Sequence, residues 1–275
     1  TLSFLAAPFV ASLILTGIHA YLGVHVVERG VIFVDLSLAQ IAVLGATLAL
    51  VLQSDSGGPH TSMVYWMSLG FTFVGAAVFA TVRTHRSRIP QEAIIGICYA
   101  VASAASILAM SKAPSESEHL KDMLVGNILA VSWPEVFKTA ALYGAVGAFH
   151  FTFRKQFLAI SRDHEHADAT GLNVRWWDFL FYASFGFVVT SSVSIAGVLL
   201  VFCYLIVPSV ASMLYSEHIG KRLAIGWTMG TVVSGAGVCL SLVLDFPTGA
   251  TIVCAFGVAL LLMAAARPFI LRRAS

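Results

Sequence analysis

Apolar runs of roughly 20 residues follow one another along nearly the whole chain. Each is long enough to cross a ~30 Å hydrocarbon core as a helix. The composition agrees: 58% of residues are hydrophobic and 11% charged, with a mean hydropathy of +0.87, whereas soluble domains carry about 25% charged residues. The 275 residues leave no room for a separate soluble domain. The reading is an all-α integral membrane protein, one multi-pass transmembrane domain over residues 1–275.

Nine candidate spans are read at about 4–26, 31–53, 63–82, 93–111, 136–153, 178–194, 196–215, 223–243 and 249–270. The uncharged junction near 194–197 is the one place where fusion would reduce the count to eight. Basic residues set the expected orientation. One set of alternate loops holds Arg29, Arg83, Arg86, Arg88, Arg154, Lys155, Arg162, Arg175, Lys221, Arg222, Arg267, Arg272 and Arg273, thirteen of the sixteen Lys and Arg. The opposite loops hold Lys112, Lys121 and Lys138. The positive-inside rule makes the richer set cytoplasmic, with the N-terminus outside and the C-terminus inside. Nine spans keep this alternation and eight break it. The first segment has no basic leader and no small-residue cleavage site, and is read as a mature span rather than a signal peptide. Cys98, Cys203, Cys239 and Cys254 lie singly within apolar spans, without a CxxC pair. They are read as small buried hydrophobes.

The stretch from Gly17 to Gly45 carries the unusual chemistry. It reads as two apolar helices joined by a tight turn at Glu28–Arg29–Gly30, with His19, His25, Asp35 and Gln40 in its arms. Asp35 is the only acid more than a few residues inside an apolar span. Ionisable groups at membrane depth are costly and tend to face a bundle interior, a cavity or a transport path. The hairpin is therefore read as lining the route of a transported ion. Counted from Gly30, His25 and Asp35 fall at one depth, roughly 7–8 Å in, and His19 with Gln40 at a second, about 15 Å in.

Two segments are not ordinary spans. Residues 119–132 have an apolar core too short to cross and suit a re-entrant or interfacial helix, ended by Trp133–Pro134. Residues 154–175 form the longest polar stretch on the expected cytoplasmic side. Within it, 161–172 suits a short helix with Asp163 as N-cap and Gly171 as stop, a surface that invites a partner protein. Pro208 sits inside the seventh span and removes the donor to the Tyr204 carbonyl, so a kink is expected there. Gly226 and Gly230 form a GxxxG, read as packing within the bundle rather than as a dimer seam. No Walker A pattern is present, so energy must come from a partner subunit or an ion gradient.

In this order the features resemble the membrane-spanning permease subunits of bacterial ATP-binding-cassette importers for zinc, manganese and iron. The resemblance rests on Gly23–Val27, Arg29 and Leu38–Gly45, on Gln91–Ala100 and Leu124–Ser132, on Asp163–Gly171, and most specifically on Gly197–Ala211 with its interior proline. It implies a homodimer, two cytoplasmic ATP-binding subunits that hold the ATP, and an external metal-binding receptor, with no nucleic acid and no permanently bound cofactor. It also implies that the Asp163–Gly171 helix is a coupling helix, in which Asp163, Glu165, Ala167 and Gly171 match the family pattern. His164 and His166 in that run are read as solvated or docked rather than as a metal site.

The chain departs from the family where the family binds its ion. The usual Asp and His four apart in the second span are replaced by Leu36 and Gln40, with the acid displaced to Asp35. Asp35 and Gln40 lie about 140° apart on an ideal helix and cannot both face one ion. Three roles stay open for the hairpin: a hydrogen bond between Asp35 and His25 that only fastens it, direct metal contact by Asp35 or His19, and proton handling. Gln40 is a weak ligand and fits a polar lining or an interhelical hydrogen-bond partner. Asp55, His60, Glu116, Glu118, His119 and Asp122 on the outer side are read as solvated loop. His150 is read as a satisfied helix-end histidine. The expected function is import of a divalent transition metal, Zn²⁺ first and Mn²⁺ second, across the cytoplasmic membrane by alternating access. The rivals are a proton-coupled secondary transporter and a permease for a chelated metal or cofactor.

Overall fold

The computed structural model describes residues 2–53, 61–82, 89–112, 126 and 128–271. Its helices are α1 (Leu2–Glu28), α2 (Val34–Gln53), α3 (Thr61–Val82), α4 (Gln91–Met110), α5 (Trp133–Thr152), α6 (Arg154–Arg162), α7 (His164–Ala169), α8 (Val174–Ala196), α9 (Val198–Met213), α10 (Ile219–Leu244) and α11 (Thr248–Leu271). A 3-10 turn, Ile128–Ala130, precedes α5. No strand occurs among the described residues.

Seven of these helices are long and apolar enough to cross a membrane: α1, α2, α3, α4, α8, α10 and α11. The other two expected spans fall on α9, which is apolar but has 16 residues, and on α5, which has 20 residues and mixes in Glu135, Lys138 and His150. The uncertain junction resolves into two helices. Gly197 stands between α8 and α9 at φ +76, a backbone conformation that L-residues with side chains rarely hold. Most of the 119–132 segment, the outer acidic residues and Arg83, Arg86, Arg88, Arg272 and Arg273 lie outside the described residues.

Trp133–Pro134 does not end a preceding helix; it begins α5. Ser132 is the N-cap, and the Glu135 carboxylate accepts from both its backbone N–H (2.8 Å) and its hydroxyl (2.7 Å). The bond from Glu135 back to the N-cap N–H is one half of a capping box, and Pro134 is tolerated because a first-turn N–H has no helical acceptor.

The chain divides into two compact units. One comprises Thr1–Val27, Val125–Gly144 and Ile195–Ser275. In it α9, α10 and α11 pack on one another, with small residues setting the approach. A Cβ on Gly23 would overlap the Leu205 carbonyl, and one on Gly230 would overlap the Thr16 methyl. Gly226 lies against Pro208, at 3.5 Å from an added Cβ. The GxxxG therefore packs within this unit, on α1 and α9. Trp227 donates to the Gly17 carbonyl (3.0 Å) and Ser234 to the Tyr204 hydroxyl (3.1 Å).

The second unit comprises Glu28–Leu124 and Ala145–Ser194. Here α2 packs on α3 and α4. A Cβ on Gly45 would come within 2.6 Å of the Met67 carbonyl oxygen, and Ser68 donates to the Ala42 carbonyl at 2.5 Å. Two buried hydroxyls, Thr72 and Thr190, meet at 3.1 Å. The cysteines depart from the expectation of burial: Cys98 and Cys203 are half-buried, while Cys239 and Cys254 are exposed. On a lipid-facing helix an exposed thiol costs little, so burial is not required of it.

Candidate functional site

The turn between α1 and α2 is longer than its sequence suggests. Residues 29–33 form it, and α2 begins at Val34, whose N–H bonds the Val31 carbonyl at 3.1 Å. Asp35 therefore sits in the first turn of α2 rather than more than a turn inside a helix. That position favours a carboxylate, because the unpaired N–H groups of the first turn carry the positive end of the helix dipole. Asp35 is fully buried, and among the described residues neither carboxylate oxygen has a hydrogen-bond partner. Gln40 follows on the same helix at 7% exposure. The ideal-helix angle between them still holds, so one ion cannot face both.

His19 and His25 lie in α1 and are both buried. His19 Nδ1 lies 2.8 Å from the Leu15 carbonyl oxygen, within its own helix. The His19 ring also meets Tyr143 edge-on at 6.1 Å, and His25 meets Tyr21 at 4.9 Å. Asp35 and Gln40 belong to one unit, and His19 and His25 to the other. No group of three or more His, Cys, Asp or Glu gathers among the described residues.

A second constellation lies around the expected coupling helix, all within the second unit. The short helix α7 spans His164–Ala169. Asp163 caps it, accepting from the His166 N–H at 3.0 Å. At its other end Gly171 takes φ +87, the Gly171 N–H bonds Asp168 O (2.9 Å) and the Leu172 N–H bonds Ala167 O (3.2 Å). That is the Schellman pattern. Ala167 is buried with Ile160 and Val174, and Leu172 and Trp177 pack on them. Asp163, Glu165 and Gly171 are exposed. Of the four family-matched residues, Ala167 thus holds the helix down, and the other three stand where a partner can reach.

Sequence reading missed α6, the amphipathic helix before α7. Its signal was present in Phe157, Ile160 and Ser161, the residues it buries on one face. Phe157 stacks on His150 at 4.3 Å, and the His150 ring nitrogen Nε2 lies 2.8 Å from the Ser184 hydroxyl, so this histidine is satisfied. Sequence reading also missed the partner of Arg29. The Arg29 guanidinium donates through Nη1 to Asp178 (2.5 Å) and through Nε to the Ser161 hydroxyl (2.9 Å). It lies 4.0 Å over the Phe181 ring. The two charged side chains are 0% and 1% exposed. At 149 positions apart in the chain, they form a pair that no local spacing could have announced. Pro208 is buried inside α9, and the helix runs through it.

The pattern of the ABC 3 transport family matches residues 1–267. The chain belongs to the ABC 3 transport family. It is 28% identical over 258 residues to the manganese transport system membrane protein MntC of Listeria monocytogenes, covering 91% of this chain and 86% of that protein. It is 26% identical over 242 residues to the chelated iron transport system membrane protein YfeC of Yersinia pestis, covering 88% of this chain and 79% of that protein. The fold is similar to PsaBC from Streptococcus pneumoniae, solved in complex with Fab, at TM-score 0.77 and 23% identity, covering 94% of this chain and 90% of that one. As an ABC 3 permease, the chain is a multi-pass transport protein of the inner (cytoplasmic) membrane.

Proposed function

We propose that this permease works as a homodimer with two cytoplasmic ATP-binding subunits and an external metal-binding receptor, and imports a divalent transition metal by alternating access. The observation that carries the cargo assignment is Asp35, a fully buried carboxylate in the second helix with both oxygens unpartnered among the described residues. A buried anion is retained at such cost only where a cation or proton compensates it. Carboxylate oxygen suits Mn²⁺ and Zn²⁺ and disfavours Cu(I). The relatives named for manganese and chelated iron put Mn²⁺ ahead of Zn²⁺ in this proposal. YfeC also favours a second reading, a chelated metal as cargo, because this chain lacks the family's Asp and His four apart. The spans keep the nine-helix, N-terminus-outside topology that the basic loops support, and Pro208 gives α9 a kink to bend at. Asp163, Glu165 and Gly171 form the face that docks the ATPase.

The test is Asp35→Asn in proteoliposomes holding the chain with its ATPase and loaded receptor. ATP-driven uptake of radioactive Mn²⁺ should fall at least tenfold, while the ATPase still co-purifies with the chain. Unchanged uptake would remove the cargo assignment.

A further inference from the structure

Arg29 occupies a place in the chain that the pathway and the coupling helix leave unassigned. It stands in the turn between α1 and α2, six residues before Asp35. Its Nε donates to Ser161, two residues before Asp163, the residue that caps α7. Its Nη1 donates to Asp178 in α8, on the other side of α7 in sequence. One guanidinium therefore joins the segment entering the coupling helix, the segment leaving it, and the turn that leads into the Asp35 helix. A planar fork with fixed donor directions holds such partners in a set geometry, which a lysine cannot do.

Stability alone is a poor account of this clamp. A buried ion pair roughly breaks even against apolar residues of the same volume. Here Nη2 is also buried, and among the described residues it has no acceptor. An unsatisfied buried donor costs stability that a purely structural fastening would have no reason to retain. We infer that Arg29 is the positioning residue that transmits displacement of the coupling helix to the Asp35 helix. The clamp tethers the α1–α2 turn to both flanks of α7, so a push on α7 reaches the first turn of α2 without passing through the exposed loop. The Phe181 ring beneath the guanidinium keeps it in place as its partners move. This inference rests on the coupling-helix reading above and adds the element through which that helix acts.

The deciding variant is the double substitution Arg29→Met with Asp178→Leu, which removes both charges together and so avoids leaving one buried alone. It is read in proteoliposomes with the ATPase, as Mn²⁺ taken up per ATP hydrolysed. Transmission through Arg29 predicts normal co-purification with the ATPase, continued ATP hydrolysis, and a Mn²⁺-to-ATP ratio at least tenfold below wild type. A wild-type ratio overturns it, because a merely structural clamp would change the melting temperature and leave the ratio alone. If the double variant does not assemble, Ser161→Ala decides. It deletes the acceptor of Nε and leaves both buried charges in place, and a ratio equal to wild type in that variant overturns the inference, while a several-fold fall supports it. Failure of the coupling-helix reading shows itself separately, as wild-type chain that does not bind the ATPase at all.

Discussion

Single residues carry both what was legible in the sequence and what was not. Asp35 could be singled out without a structure, because an acid in an apolar run has no ordinary explanation. Its exact place could not: turn residues 31–33 are as apolar as the helix they precede, so hydropathy put the helix start too early. Asp178 shows the opposite failure. It looked like a span-end acid, and only the fold brings Arg29 to it. Gly126 was equally silent. It sits at φ +71, and a Cβ there would overlap the carbonyl carbon and oxygen of Ala196 and the nitrogen of Gly197, all in its own unit. Strain and overlap act together, so Gly126→Ala should cost at least ~2 kcal/mol. Thermal melting of the purified chain in detergent checks this, and a melting temperature within a degree of wild type contradicts it.

At the scale of elements, helix ends decided where sequence reading succeeded. Asp163 and Gly171 are explicit start and stop signals, and α7 forms between them with the predicted cap. Ser132 and Glu135 form an equally explicit cap, but it lies beside Trp133–Pro134, and the proline read as a stop. A proline in a first turn marks a beginning instead. The hydrogen bonds from the Ser132 N–H and hydroxyl hold the Glu135 carboxyl below the usual range, with Lys138 adding a smaller pull in the same direction. The folded value thus lies below the unfolded one. The stabilisation is present above the unfolded carboxylate value, about 4.3 in peptides, and is lost as pH falls through the lower folded value. Comparing wild type with Glu135→Gln, amide exchange in the first turn of α5 should be faster in the variant at pH 7. The two should converge as pH falls below about 4. A difference that persists unchanged at low pH would show that the carboxylate is not its source.

At the scale of the whole molecule, composition settled the class: few charges, long apolar runs, and therefore a helical membrane protein. Seven helices meet the length and hydropathy of a span, and α5 and α9 fall short by composition and by length. Their ends are set by Gly197 and by the Ser132–Glu135 cap, which hydropathy does not register. The family gives the chain its place among ABC 3 permeases. The proposed cargo and energy source rest on Asp35, on the exposed residues around Glu165 and on the names of its relatives.

Those two claims meet in one measurement. Proteoliposomes holding the chain with its ATPase and receptor are compared with proteoliposomes holding the chain alone, both supplied with radioactive Mn²⁺. Uptake that requires the ATPase and internal hydrolysable ATP, and that a pH gradient alone does not drive, is the predicted result. Mn²⁺ accumulation by the chain alone under a pH gradient, without the ATPase, would contradict it and make the chain a proton-coupled transporter.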